Sequence, residues 1–209
     1  MMASYTVKCD TPLSAIILAG GESIRMGQDK AWITTNGDSF ISVAINKLRK
    51  IGIEDIFISG RIGVDYSLLG CPVLHDLEPG MGPLAGIERG LRACNSPLLL
   101  ILAVDLPQMT SGLLKKLAKH SHKLSGVVPI VKNKLEPLVA IYPKRCHAYA
   151  VESLLKGRHS VKQFVELCLK ENAIRTWMLP NSYARCFMNC NTPSDVEQNF
   201  VTGKRSINL

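Results

Sequence analysis

Ala15 to Ala19, reading AIILA, is a wholly apolar run that ends on two adjacent glycines, Gly20-Gly21. The run is short, rich in branched residues and free of alternation, so it suits a strand buried on both faces. A strand of that kind needs a layer of structure above it and another below it, and few folds provide both. The pattern recurs at Asp55–Ser59 (DIFIS), at Cys71–Leu74 and at Pro97–Val104 (PLLLILAV). The last is the most apolar segment and reads as the central strand. Between these runs the spacing turns helical, over Phe40–Ile51 with Gly52 closing it, and over Leu84–Cys94. Strand, loop, helix and strand in that order imply right-handed crossovers and a parallel sheet.

The second half predicts a helix over Thr110–His122, then strands at Gly126–Val131 and Leu135–Tyr142, paired antiparallel across Lys132-Asn133-Lys134. Pro137 has no N–H to donate and holds Glu136 extended, which makes this an edge or a bulge. Lys144–Leu155 reads as a helix. Another runs to Lys170 from Ser160, an N-cap with Gln163 at capping-box distance. Arg175–Leu179 and Arg185–Met188 read as late strands. Thr192, Pro193 and Asp195 open a final helix. The 209 residues therefore divide into a flexible lead-in, 1–12, and a single domain, 13–209. The expected class is α/β: a three-layer α/β/α sandwich around a mostly parallel, Rossmann-like sheet.

Lys and Arg number 25 against 17 Asp and Glu, for a net charge of +8. The positive charges are dispersed and are not interleaved with aromatics, which argues against nucleic acid and suits small anionic substrates. No apolar run reaches the ~18 residues of a membrane span. Met1–Thr11 lacks the apolar core of a signal peptide, so a cytoplasmic location is expected. Seven cysteines, an odd count without an export signal, read as reduced thiols. Cys186 and Cys190 lack the second pair that a structural zinc site requires.

The glycine pair also carries chemistry. Adjacent glycines after a buried strand let the backbone bend tightly and turn bare N–H groups toward a ligand. Arg25 and Lys30 add two cations, and the combination suits a polyphosphate. It is not a P-loop, because Lys30 follows Asp29 and precedes Ala31, and the glycines lack dinucleotide-fingerprint spacing. Asp105 stands at the tip of the central strand. It can serve as an N-cap for the helix near Thr110, although Thr110 or Ser111 could fill that role, or it can bind magnesium together with substrate phosphates. His75, Asp76 and Glu78 crowd polar groups at another strand's end, where open α/β sheets bind ligands. Arg158 and His159 are candidates to meet an acceptor phosphate or simply a solvated helix start.

Leu18-Ala19-Gly20-Gly21, Ser23, Arg25-Met26-Gly27 and Asp29-Lys30-Ala31 together resemble the signature of the molybdenum cofactor guanylyltransferase family. The resemblance extends through Asp76, the run Pro79 to Gly86, Asp105, Glu136-Pro137-Leu138 and the Asn191-Thr192-Pro193-x-Asp195 element. It implies the fold of the nucleotide-diphospho-sugar transferases. It also implies transfer of GMP from GTP to the terminal phosphate of molybdenum-molybdopterin, with release of pyrophosphate. On that basis Leu18, Ala19, Gly20, Gly21, Lys30, Asp76 and Asp105 bind nucleotide, with Asp76 near the base or ribose. Lys30, Arg25 and Asp105 act in catalysis. Asp105 and Asn191 hold magnesium, or manganese in its place, and Glu136-Pro137-Leu138 lines the acceptor side. Molybdenum-insertion proteins or recipient molybdoenzymes are the implied transient protein partners. Two departures, Asn36-Gly37-Asp38-Ser39-Phe40 and Val104 where Cys is frequent, leave the acceptor open. A related enzyme using CTP or another phosphorylated acceptor, and a non-catalytic cofactor carrier, remain the alternatives.

Overall fold

The computed structural model describes residues 11–20, 30–35, 37–75, 80–190 and 195. Gly21, Arg25, Asp76 and Asn191 lie outside these, as does most of the predicted final helix; Asp195, the described residue of that stretch, is helical. The first strand, β1 (Leu13–Leu18), sends Ala15 and Ile17 into one apolar cluster and Ile16 into another, as a strand covered on both faces must. A short 3-10 turn, Lys30–Trp32, leads into the two-stranded ribbon β2 (Thr34–Thr35) and β3 (Asp38–Ser39) and then α1 (Phe40–Lys50). Ser39 caps α1 by accepting from the Ser42 N–H. There follow β4 (Ile56–Ser59), β5 (Val73–Leu74), α2 (Pro83–Ala93) and β6 (Leu98–Ala103).

In the second half come α3 (Ser111–His120), β7 (Gly126–Val131), β8 (Lys134–Leu135), β9 (Val139–Pro143), α4 (Cys146–Leu155), α5 (Val161–Lys170) and β10 (Ile174–Met178). Thr110 accepts from Leu113 N–H as the N-cap of α3, and Ser160 from Gln163 N–H as that of α5. Asp105 is therefore not the cap of the helix that follows it.

Two expectations change. The predicted strand Leu135–Tyr142 divides into β8 and β9, because Glu136 to Leu138 turn around Pro137 and the Tyr142 hydroxyl donates to the Pro137 carbonyl. Arg185–Met188 is not a strand but the end of a 3-10 helix, Asn181–Phe187. Tyr183 and Cys186 lie one 3-10 turn apart and both face the core, a spacing that a strand would send to opposite sides.

The sheet orders its strands β10-β7-β9-β6-β1-β4-β5, with β8 attached to β7. β6, buried along its whole length, lies at the centre. Its neighbour β1 is parallel to it, as are β4 to β1 and β5 to β4, whereas β9 runs antiparallel to both β6 and β7. Helices α1 and α3 cover one face through Ile41, Leu48, Leu113 and Leu117. Helices α2, α4 and α5 cover the other through Ile87, Leu91, Ala150 and Phe164. The result is the expected α/β/α sandwich around a mostly parallel sheet.

One consequence positions the site. From β1 the chain travels to β4 on one flank, while β6 lies on the other flank of β1 and leads away from it. The connections part between the carboxyl ends of β1 and β6, leaving a crevice there. Open α/β sheets bind ligands at such a switch point.

Candidate active site

Asp105 lies just beyond the end of β6, and the backbone from Ala103 to Asp105 is tied to three neighbours. Ala103 N–H donates to the Leu138 carbonyl at 2.9 Å and Val104 N–H to Leu18 at 3.2 Å. Cys190 N–H donates to Asp105's own carbonyl at 2.9 Å. That last bond brings the residue preceding Asn191 directly against the strand tip.

Lys30, opening the 3-10 turn, places Nζ 3.8 Å from Asp105 Oδ2, with side chains 28% and 19% exposed. The two charges are paired, yet they stand farther apart than a hydrogen bond. Burial raises the Asp105 carboxyl above the usual carboxylate range, and the Lys30 charge and a backbone N–H offset this only in part. The carboxylate is thus poorly hydrated and held beside a cation.

Lys30 and Asp105 border a cavity of about 400 Å³, a size ordinary for a ligand pocket. Leu18, Ala19 and Gly20 from the end of β1 form one wall. The start of α2 forms another, through Gly80, Gly82, Pro83 and Gly86, and Ser59 ends β4 between them. Gly82, at φ 70°, is the N-cap of α2 and makes no side-chain capping bond; Pro83 opens the first turn. The helix therefore brings its partial positive end to the cavity with little side chain in the way. At Gly86 a Cβ would meet Ser59 Oγ at 2.6 Å and Leu18 Cδ2 at 2.8 Å, so α2 sits directly on the ends of β1 and β4.

A second cavity, of about 580 Å³, lies on the other side of Asp105 and shares Ala103, Asp105 and Leu138 with the first. Glu136, Lys134, Lys162 and Asn189 supply polar groups to it. Lys132 and Asn133, at φ 47° and 61°, form the tight turn that delivers Lys134. Burial pushes the Glu136 carboxyl up despite Lys134 Nζ at 3.9 Å. Arg158 and His159 are exposed, and α5 presents Lys162 and Val165 to this cavity.

The structure thus brings together Leu18, Ala19, Gly20, Lys30 and Asp105. Sequence reasoning did not assign Ser59, Gly82, Pro83 or Gly86 to the wall, although glycines flanking a proline at a helix start were the available signal. His75 turns aside, its Nδ1 3.2 Å from the Gly60 carbonyl. Among the described residues no three His, Cys, Asp or Glu side chains gather as a metal cage. The hard oxygen donor at the cavity is the Asp105 carboxylate, whose desolvation a divalent cation would offset. Its chemistry fits magnesium, which takes one or two carboxylates and completes its shell with substrate phosphate and water. No described helix is long and apolar enough to cross a membrane.

Residues 15–173 match the family described as the MobA-like NTP transferase domain. A protein of Carboxydothermus hydrogenoformans named "Probable molybdenum cofactor guanylyltransferase" is 34% identical over 188 residues, 89% of this chain and 94% of its own. One of the same name from Opitutus terrae is 32% identical over 186 residues, 88% of this chain and 92% of its own. The structure of molybdopterin-guanine dinucleotide biosynthesis protein A from Archaeoglobus fulgidus aligns at a TM-score of 0.70 with 20% identity, covering 91% of this chain and 98% of its own. The 4-diphosphocytidyl-2C-methyl-D-erythritol synthase of Anaerococcus prevotii aligns at 0.72 with 14% identity over 93% and 97%. The last two likenesses concern the fold alone. With most of its length matched, and with relatives above 30% identity covered almost end to end, the chain belongs to the MobA-like NTP transferase family.

Proposed function

We propose that the chain transfers GMP from GTP to the terminal phosphate of molybdenum-bound molybdopterin, forming the guanine dinucleotide cofactor and releasing pyrophosphate. The observation that carries this reading is the pairing of Lys30 and Asp105, 3.8 Å apart, with Asp105 on the wall between two cavities. One cavity takes the triphosphate and the other the acceptor, so the reacting phosphates meet at Asp105. The names of the relatives supply the guanylyl group and the molybdenum cofactor.

In this reading an oxygen of the acceptor's phosphate attacks the α-phosphorus of GTP, and the bond from that phosphorus to the β-phosphate oxygen breaks. Charge accumulates on the departing pyrophosphate. Lys30 and the N-terminal N–H groups of α2 meet that charge, together with the N–H groups of Ala19, Gly20 and Gly21, and Arg25 adds a second cation. Lys134 and Lys162 hold the acceptor's phosphate on the far side. Asp105 and Asn191 would hold magnesium, or manganese in its place, which neutralises phosphate charge when bound. Asp76 takes the ribose or base. The protein's contribution is alignment and electrostatics, and no nucleophilic side chain is needed. The reading places the chain in the cytoplasm, in transient contact with molybdenum-insertion proteins or recipient molybdoenzymes.

The test is to incubate purified protein with magnesium, a molybdopterin-containing extract and each of the four labelled nucleoside triphosphates, and to follow pyrophosphate release. Turnover with GTP is expected. Turnover with CTP alone overturns the guanylyl assignment, and tight nucleotide binding without turnover overturns the enzyme in favour of a carrier.

A further inference from the structure

Lys47 stands in the last turn of α1 beside Arg49 and Lys50, where cations ordinarily complement the helix dipole from solvent. Arg49 and Lys50 are exposed, but Lys47 turns inward and is half-buried. Its Nζ donates to the Pro107 carbonyl at 2.6 Å. Pro107 belongs to the turn Asp105-Leu106-Pro107, which links the central strand to α3. Burial lowers the Lys47 amine to about 8, with a nearby Cys186 opposing the shift. The group has given up hydration for this contact, and ordering a long lysine side chain costs rotamer entropy. A solvated helix-end charge would do neither.

The remaining ties of that turn explain what the contact accomplishes. Val104 is bonded to Leu18, Asp105 to Cys190, and Met109 N–H to the Leu106 carbonyl at 3.0 Å. The side chains of Leu106 and Met109 are buried in the same cluster as α1. Lys47 is a side-chain donor that fastens the turn to α1, so α1 and the tip of β6 are braced across the top of the sheet. The Asp105 carboxylate points from this turn toward Lys30.

We propose that Lys47 is a positioning residue for nucleotidyl transfer: through the Pro107 carbonyl it holds the turn that presents Asp105 to both cavities. It lines neither cavity and acts through the backbone of Pro107. The assignment rests on the reading of Asp105 given above. A shift of about 1 Å in a group aligning the phosphates is enough to lower turnover by up to ~100-fold while leaving the nucleotide-binding surface in place.

Lys47→Met and Lys47→Arg, compared with the wild type, test this. In Lys47→Met, kcat with GTP and molybdenum-molybdopterin is expected to fall about tenfold, with KM for GTP within about twofold of wild type. Amide exchange at Cys190, whose N–H donates to Asp105, is expected to quicken in step. Lys47→Arg retains a donor for Pro107 and should restore both readings. Unchanged kcat and Cys190 exchange in Lys47→Met overturn the proposal. So does equal loss in both variants accompanied by a large fall in Tm, which would make Lys47 merely structural. If the wild type fails to turn over GTP, the guanylyl reading falls, and exchange at Cys190 alone decides the role of Lys47.

Discussion

Lys30 Nζ lies 3.8 Å from Asp105 Oδ2, although one residue follows β1 and the other follows β6. The two strands are parallel neighbours at the centre of the sheet, so the turns beyond their carboxyl ends face one another. The pair is close enough for mutual neutralisation and too far apart for a hydrogen bond. A phosphate oxygen or a cation bound in the cavity can compete for either member.

Lys30→Met should lower kcat with GTP by about 10²- to 10³-fold, the range for removing a donor aimed at developing charge. Steady-state kinetics with pyrophosphate detection measure it, and far-UV circular dichroism checks that the partly exposed site leaves the fold intact. A variant within about threefold of wild type would remove Lys30 from the chemistry.

Asp105→Asn should abolish turnover and make the free protein more stable. Burial is the largest influence on this carboxyl and raises its titration, so the ionised form carries a cost at neutral pH that the amide avoids. The sign follows: a raised folded-state value contributes stability below the carboxylate's ordinary value, and that stability is lost as pH climbs through the raised one. A gain of ~1 kcal/mol corresponds to roughly 2–4 °C in Tm for a chain of this size. Calorimetry without nucleotide at neutral pH measures it, and a lower Tm would contradict the account.

Gly86→Ala tests the seating of α2. The added methyl meets Ser59 Oγ and Leu18 Cδ2 at 2.6 and 2.8 Å, so the helix must lift or its neighbours shift. Overpacking of this kind costs about 1–3 kcal/mol, readable in urea denaturation. Because the start of α2 also lines the first cavity, KM for GTP should rise along with the loss of stability. Unchanged KM in a destabilised variant would separate α2 from nucleotide binding.

A pH series reports on Lys47. Its amine titrates near 8 in the folded chain against 10.5 ordinarily, so the unfolded chain binds more protons between those values. Wild type should therefore gain stability over Lys47→Met as pH rises from about 8 to 10.5, and lose that gain as pH falls back through 8. Urea denaturation of both proteins across the range measures the difference, and a flat difference would show that the amine is not held in the folded chain.

Much of the architecture was legible along the chain because its causes are local. Unbroken apolar runs named the doubly covered strands, helical spacing named α1 and α2, and Ser160 named its own cap. Thr110 and Ser111 were left as alternatives for α3 until the Thr110–Leu113 bond chose between them. The expected strand at Arg185–Met188 failed because a short apolar stretch after Pro180 satisfies a 3-10 turn as readily as a strand, and only packing of Tyr183 and Cys186 chose between them. The motif residues Leu18 to Gly20, Lys30 and Asp105 were individually recognisable, and the family resemblance implied that Lys30 and Asp105 meet across one nucleotide; the two do stand 3.8 Å apart. Composition and spacing alone did not show that approach. Their proximity depends on strand order, which places β6 beside β1, and no local spacing encodes that neighbour. The same holds for Lys47 against Pro107, Cys190 against Asp105 and Gly86 against Ser59. Local conformational preference and hydrophobic period belong to the sequence alone; the approach of groups remote along the chain belongs to tertiary packing, because only the buried sheet brings their backbones together.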